Sequence, residues 1–124
     1  MKRFMFLFVA VASVLAAAAA RAQDPVKVES IHYSVILEND AVRVLRIHYA
    51  PGEKSVMHHH PASVAVFLHD QKAKFTYPDG KTEEVSVKAG DVNMSPAGEH
   101  LPEDIGDTPI DVILVELKTK PAMP

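Results

Sequence analysis

After its first 22 residues the chain is predicted to fold as an all-β domain, a sandwich or barrel of about eight short strands. Short apolar or alternating segments recur at intervals of about ten residues, the spacing typical of that class. Turn sequences such as Pro78-Asp79-Gly80 separate them. No stretch after residue 22 shows helical periodicity of useful length.

The first half of the domain opens with residues that carry little signal. Gln23–Ser30 has no clear pattern and is expected to be a tether or a loose first strand. Tyr33–Leu37 is rich in β-formers and leads into a turn, Glu38-Asn39-Asp40. Val42–Tyr49 alternates, which places Arg46 and His48 on one face with two valines. Whether that face points inward or outward stays open.

The second half continues the same pattern of strand and turn. Val64–Leu68 is a short apolar run of the kind buried on both faces. Lys74–Tyr77 and Thr82–Val87 flank the Pro-Asp-Gly turn and predict a hairpin, with both valines of the second strand directed inward. Val92–Ser95 is short, and Ile110–Leu117 is the last long strand.

The N-terminal segment resembles a secretory signal peptide. Lys2 and Arg3 precede an apolar run from Phe4 to Ala20, and Ala20-Arg21-Ala22 is a small-x-small cleavage site. The run is short and alanine-rich for a bilayer, which needs about 20 apolar residues, so a stable membrane anchor is not expected. The sequence therefore predicts a signal peptide at residues 1–22, a single domain at 23–124, and a periplasmic or secreted protein.

Charge and composition exclude several classes of function. Removing Lys2, Arg3 and Arg21 lowers the basic residues from 13 to 10 against 16 acidic ones, a formal net charge of −6. No basic stripe remains, so nucleic acid is not an expected partner. The chain has no cysteine, which rules out thiolate catalysis and cysteine metal ligands.

Three consecutive histidines, His58, His59 and His60, are the most informative stretch. In an extended strand His58 and His60 share one face and His59 lies on the other, exposed one. Two imidazoles on one face can bind one metal ion or line a polar pocket. A further histidine, His100, follows the turn Pro96-Ala97-Gly98.

These segments resemble the two motifs of the cupin superfamily. Gly52 is followed by five residues and then by the histidine run, and Gly90 by five residues, the Pro96–Gly98 turn and His100. The resemblance spans about Asp40 to Leu117 and implies a cupin-like double-stranded β-helix, a jelly-roll barrel. It also implies a divalent metal ion, iron, manganese, zinc, nickel or copper, held by His58, His60 and His100.

The chain departs from the cupin pattern in its metal ligands. The glutamate of the first motif falls at Val64 or Ala65, neither of which binds a metal, and its closing glycine falls at Gln71. One residue rather than two separates Gly98 from His100. Three histidines are left as ligands, and a metal-free pocket lined by the same residues stays open as an alternative.

Three functions are consistent with this sequence, and whether the protein is an enzyme stays open. Phe67, Phe75 and Tyr77 with the valines are expected to line a small apolar cavity, the usual form of a small-molecule site. The protein is then a metal-dependent enzyme resembling dioxygenases or isomerases, or a non-catalytic module for a metal or small ligand. The third function is a metal-free structural cupin that forms a homodimer.

Overall fold

A computed structural model describes residues 23–119, and the predicted signal peptide at residues 1–22 lies outside them. Within the described part the chain forms one helical turn and nine strands. In chain order these are α1 (Pro25–Val28), β1 (Tyr33–Glu38), β2 (Val42–Tyr49), β3 (His58–His60), β4 (Ser63–Phe67), β5 (Gln71–Thr76), β6 (Thr82–Val87), β7 (Val92–Ser95), β8 (Gly98–Asp104) and β9 (Ile110–Leu117). No helix among residues 23–119 is long and apolar enough to span a membrane.

The strands form two sheets. One has five strands in the order β1-β2-β9-β4-β7, and the other has four in the order β3-β8-β5-β6. All the strand pairs are antiparallel. The all-β prediction is confirmed, and the two sheets enclose the apolar core as in a jelly roll.

The core comes from the alternation along the two longest strands. Leu45, Ile47 and Tyr49 of β2 are buried, and so are Ile110, Val112 and Leu114 of β9, which face them in register. Arg46 and His48 lie on the opposite face and are exposed. The question that the sequence left open is therefore answered, because that face of β2 points outward.

The hairpin between β5 and β6 forms at the predicted Pro-Asp-Gly turn. Gly80 has a φ of 86°, in the left-handed region that favours glycine. The turn places β6 beside β5 so that Val85 and Val87 reach the interior, as predicted.

The residues before β1 were predicted wrongly. Gln23–Ser30 is neither a tether nor a strand, because Pro25–Val28 forms one helical turn. Asp24 caps it, accepting a hydrogen bond from the backbone N–H of Val26, and proline occupies the first turn, where its missing N–H costs nothing. The turn anchors the start of the domain against β1 and β3.

Candidate metal centre

The pairing of β3 with β8 brings the three predicted histidines together. His58 lies directly opposite His100, and His59 lies opposite Glu99, so the first two share a face that His59 does not. One nitrogen from each of His58, His60 and His100 lies within 4.8 Å of the other two. That clustering is what one metal ion bound by three imidazoles requires.

The Nδ1 atoms of His58 and His60 donate hydrogen bonds to acceptors on the side of each ring away from the cluster. His58 Nδ1–H donates to the carbonyl oxygen of Val56 at 2.9 Å, and His60 Nδ1–H donates to Glu116 Oε2 at 2.7 Å. Both Nε2 atoms then present lone pairs to each other across 3.1 Å. A cation between them would satisfy both lone pairs at once, so the donor set fits a metal ion.

His100 completes the cluster from β8. Its ring stacks on Phe75 at a centroid distance of 5.0 Å, which fixes the plane of the imidazole. Its Nε2 is buried and has no hydrogen-bond partner among the described residues. A buried polar atom without a partner costs free energy unless something binds it, and a metal ion shared with the other two histidines would do so.

Burial keeps two of the three rings neutral, as metal binding requires. Loss of water around His58 lowers the pKa of its imidazole to about 4, with a further contribution from His60. Loss of water also lowers the pKa of His100 to about 3, with contributions from His60 and His58. Near pH 7 both rings therefore offer free lone pairs.

A network of charged side chains, of which Glu116 is buried and Arg43 and Asp24 are half-buried, lies next to His60 and was not predicted from the sequence. Arg43 Nε donates to Glu116 Oε1 at 2.6 Å, and its two terminal nitrogens donate to Asp24 at 2.9 Å. Burial alone would raise the pKa of Glu116, but the hydrogen bonds from His60 and Arg43 outweigh it and hold that pKa below its usual value. His60 thus faces a carboxylate that stays ionised.

The sequence contained an indication that Arg43 and Glu116 form a buried ion pair. Arg43 shares the strand face of Leu45, Ile47 and Tyr49, and Glu116 shares that of Ile110, Val112 and Leu114. A charged residue on an otherwise apolar face indicates a buried pair when two strands carry opposite charges. The pairing of β2 with β9 places those charges directly opposite each other.

Two tyrosine hydroxyls border the cluster on the side of His58. Tyr33 Oη lies 3.1 Å from His58 Nε2, and the Tyr49 hydroxyl donates to Tyr33 Oη at 2.8 Å. Both tyrosines are almost fully buried. Burial raises the pKa of the Tyr33 phenol well above its usual value, and Tyr49 adds to the shift. Sequence reasoning gave neither tyrosine a role.

The remaining sequence candidates lie outside the cluster. His59 is exposed, as predicted, and Arg46 and His48 lie on the outer face of the five-stranded sheet. Ala65 lines the interior cavity, whereas Val64 pairs with Val115 and Met94 on the outer face. Of the two positions where the cupin glutamate would fall, only Ala65 therefore points inward.

An interior cavity of about 470 Å³ adjoins the cluster. His60, His100 and Tyr33 border it at one end. The predicted lining by Phe67, Phe75 and Tyr77 is confirmed, together with Val85, Val87 and Val112. The size and the mostly apolar wall with a few polar groups suit a small organic molecule.

Comparison with known proteins shows which fold this is. No family model matches the chain, and no curated protein matches it. A cupin domain protein from Bordetella pertussis Tohama I is similar in structure, with a TM-score of 0.65 and 24% identity over 70% of this chain and 92% of that one. The chain has the cupin fold.

Two further solved structures are similar to this fold. A protein with a double-stranded β-helix domain from Klebsiella pneumoniae gives a TM-score of 0.56 and 23% identity over 69% of this chain and 70% of that one. A cupin superfamily protein from Desulfitobacterium hafniense gives 0.53 and 17% over 70% and 76%. At these identities the likeness establishes the fold, and the site has to be argued from its own residues.

Proposed function

We propose that this cupin holds one divalent metal ion through the Nε2 atoms of His58, His60 and His100. The observation that carries the proposal is that one nitrogen from each ring lies within 4.8 Å of the other two. Two of the rings have their Nδ1 atoms held by acceptors, and the Nε2 atom of the third is buried without a partner among the described residues. Imidazole suits zinc, copper, iron and nickel, so the ligand type alone selects no single ion.

The cavity supports binding of a small organic molecule against that ion. His60 and His100 border the cavity, so an ion held by these rings would be accessible from the apolar space. A molecule with an apolar body and one oxygen donor would place its body among Phe67 and the valines and its oxygen toward the histidines. Three neutral ligands would leave the ion Lewis acidic, with positions free for such a donor.

An enzyme and a binding module share this arrangement. The residues of this chain would bind and orient the molecule, exclude water from around it and keep two imidazoles neutral. A redox ion would supply oxygen chemistry and zinc or manganese would supply polarisation of a carbonyl. The open cavity side of the cluster favours the catalytic version, and oxygen uptake by iron-loaded protein with a bound small molecule would distinguish it.

Metal content is the first test. Protein from the periplasm of its native host should contain close to one equivalent of a transition metal, and intact mass should give Gln23 as its first residue. Chelator-treated protein should bind one equivalent of cobaltous ion with a visible spectrum. Benzoate should change that spectrum at lower concentration than acetate, because its ring gains burial in the cavity. Failure of the wild-type protein to bind any of these ions would refute the proposal.

A further inference from the structure

The hydroxyl of Tyr33 lies directly beside the histidine cluster. Tyr33 Oη is 3.1 Å from His58 Nε2, and His60 Nε2 is also 3.1 Å from that atom. Two atoms bound to one ion at about 2.1 Å, at angles between 90° and 109°, are roughly 3.0 to 3.4 Å apart. The tyrosine oxygen is therefore spaced from His58 as a co-ligand is.

The hydrogen bonds around Tyr33 also support a position for its oxygen next to a bound ion. Tyr49 donates to Tyr33 Oη, so in the described part of the chain only His58 Nε2 is left to accept the Tyr33 proton. An ion on His58 takes the lone pair that accepts this proton. The Tyr33 oxygen would then face the ion, and the positive charge of the ion would stabilise a phenolate there.

We propose that Tyr33 binds the metal ion as a phenolate and supplies the anionic ligand that Val64 and Ala65 do not; this inference rests on the proposed three-histidine site. The phenol proton leaves to solvent as the oxygen binds. Without an ion the buried phenol stays protonated, so ion binding and phenolate formation occur together. A hard oxygen ligand favours iron over softer ions.

Charge transfer from a phenolate to ferric iron gives a visible absorption band that histidine ligands do not give. The wild-type protein is loaded with ferrous ion without oxygen, oxidised with ferricyanide and recorded in the visible range. The chain has three tyrosines, Tyr33, Tyr49 and Tyr77, so three single phenylalanine variants assign the band. Each keeps the aromatic ring and removes one hydroxyl.

The expected result separates the three variants. Tyr33→Phe should abolish the band and weaken iron binding by about tenfold, the low end of the ~10–100-fold that losing even an outer partner costs. Tyr49→Phe should keep the band but shift its energy, because it removes the hydroxyl in contact with Tyr33 Oη, and Tyr77→Phe should leave it unchanged.

Failure of this inference is distinguishable from failure of the metal site. Wild-type protein that binds iron without a visible band, or a band that survives Tyr33→Phe, would overturn the role of Tyr33 and leave the three-histidine site standing. Wild-type protein that binds no iron, cobalt or zinc would overturn both.

A second inference comes from the outer face of the five-stranded sheet. The register of the strands places aliphatic residues from all five strands on that face, where each packs beside the next. They are Leu37, Val42, Val44, Val64, Val66, Val92, Met94, Ile113, Val115 and Leu117. Leu37, Val92 and Met94 are more than half exposed. Contiguous apolar patches of this kind mark interaction sites.

The charge on this face favours a partner of the same kind. Arg46 lies opposite Ile113 on this face and binds both oxygens of Asp111 at 2.6 and 2.7 Å. The pair is neutral, so two copies can meet face to face without like charges in contact. A face with one cation, already paired, offers nothing to an anionic lipid surface.

We infer that two copies of this chain stack these faces about a two-fold axis. Five strands at about 4.8 Å and some five residues at about 3.4 Å give roughly 400 Å² in projection. Two copies would then bury on the order of 1,000 Å² once side-chain relief is counted, near the lower limit of stable interfaces. Interfaces of this size are commonly weak, so we expect a dissociation constant of roughly micromolar order.

Sedimentation equilibrium of the exported protein tests this. Val115→Asp, near the centre of the face, should raise the dimer dissociation constant at least about 100-fold by burying an unpaired charge. Ile31→Asp, at an 82% exposed residue outside the strands, should leave it unchanged. Circular dichroism and metal binding check that both variants are folded. A wild-type monomer at millimolar concentration, or a dimer that survives Val115→Asp, would overturn the inference.

Discussion

Two arginine–carboxylate pairs join β2 to β9, one on each face of the same sheet. Arg43 lies opposite Glu116 on the inner face, and Arg46 reaches Asp111 on the outer face, each with a 2.6 Å contact from its Nε. Glu116 also contacts His60, which is buried in the interior. Asp111 also contacts His69, whose side chain is 56% exposed.

The same type of ion pair has different effects on the two faces of the sheet, and the face is set by strand parity, that is, by whether a residue occupies an odd or an even position along its strand. Both carboxylates have depressed pKa values, Asp111 chiefly because of Arg46, and Glu116 because His60 and Arg43 overcome its burial. In the outer pair Asp111 is buried but Arg46 is 45% exposed, so water screens that pair from the arginine side, and partly exposed pairs contribute little. The inner carboxylate has no water to replace its partners, so any change there reaches His60. Predictions that treat the two faces differently test this comparison.

The largest difference is expected within the histidine run itself. His58→Ala, His60→Ala and His100→Ala should each weaken metal binding by more than about 100-fold, beyond the ~10–100-fold cost of losing an outer partner. His59→Ala, on the exposed face of the same strand, should change it less than about twofold. Cobaltous-ion titration of the four variants measures this.

Folding has to be controlled in these variants, because His58 is fully buried. His58→Gln keeps a polar side chain of similar length and should lose the metal while remaining folded by thermal melting. Equal losses for His59→Ala and His60→Ala would mean that the run binds metal from the surface and that the inner cluster is not the site.

Features of the fold and the site that depend on residues close together in sequence could be predicted, whereas contacts between distant strands could not. The positions of β2, β6, β7 and β9 were predicted to the residue, and the inward pair His58 and His60 follows from alternation within one strand. The link between His60 and Glu116 was not readable. It depends on β9 pairing with β2 and β4, strands that lie far from it in sequence, and alternation within a strand does not encode which strands pair.

Acid should destabilise the metal-free protein through the inner face. The pKa values of His58 and His100 are about 4 and about 3 when folded, against 6.5 as the reference value. As pH falls below about 6.5, His58 and His100 become protonated in the unfolded state but stay neutral in the folded state. The free energy of unfolding should therefore be level above pH 7 and fall by up to about 1.4 kcal/mol per pH unit for each histidine between about pH 6.5 and 4.

Urea unfolding in the presence of a chelator, at pH 7.5, 6 and 5, measures that slope. His100→Gln should reduce it by about half, because one of the two groups no longer titrates. His59→Gln should leave it unchanged, since that ring is exposed to solvent in both states. A wild-type stability that does not change between pH 7.5 and 5 would show that the buried histidines are not held neutral.

The two carboxylates provide a matched pair of variants. Glu116→Gln keeps the shape but removes the charge behind His60, and metal affinity should fall by about 10–100-fold. Arg43 keeps its two hydrogen bonds to Asp24, so the variant does not strand a buried cation. Asp111→Asn, the equivalent change on the outer face, should alter metal affinity less than about twofold. Equal effects would contradict the role given to strand parity.

The smallest expected effect comes from restoring a carboxylate on β4. Ala65 lines the same cavity as His60 and His100. Ala65→Glu would place a carboxylate in that cavity, and it should tighten binding of cobaltous ion by about tenfold, or ~1.4 kcal/mol. The same variant should be less stable without metal, because an unpaired charge in an apolar cavity is costly.

Val64→Glu is the control one residue away. It adds the same charge to the same strand but on the outer face, beside Val115 and Met94. Because its carboxylate cannot reach the cluster, metal affinity should stay within about twofold of wild type, while self-association through that face should weaken. Cobaltous-ion titration of the two variants measures the effect on the inner face, and sedimentation equilibrium measures the effect on the outer face. Equal tightening in both would mean that overall charge sets metal affinity and that facing does not.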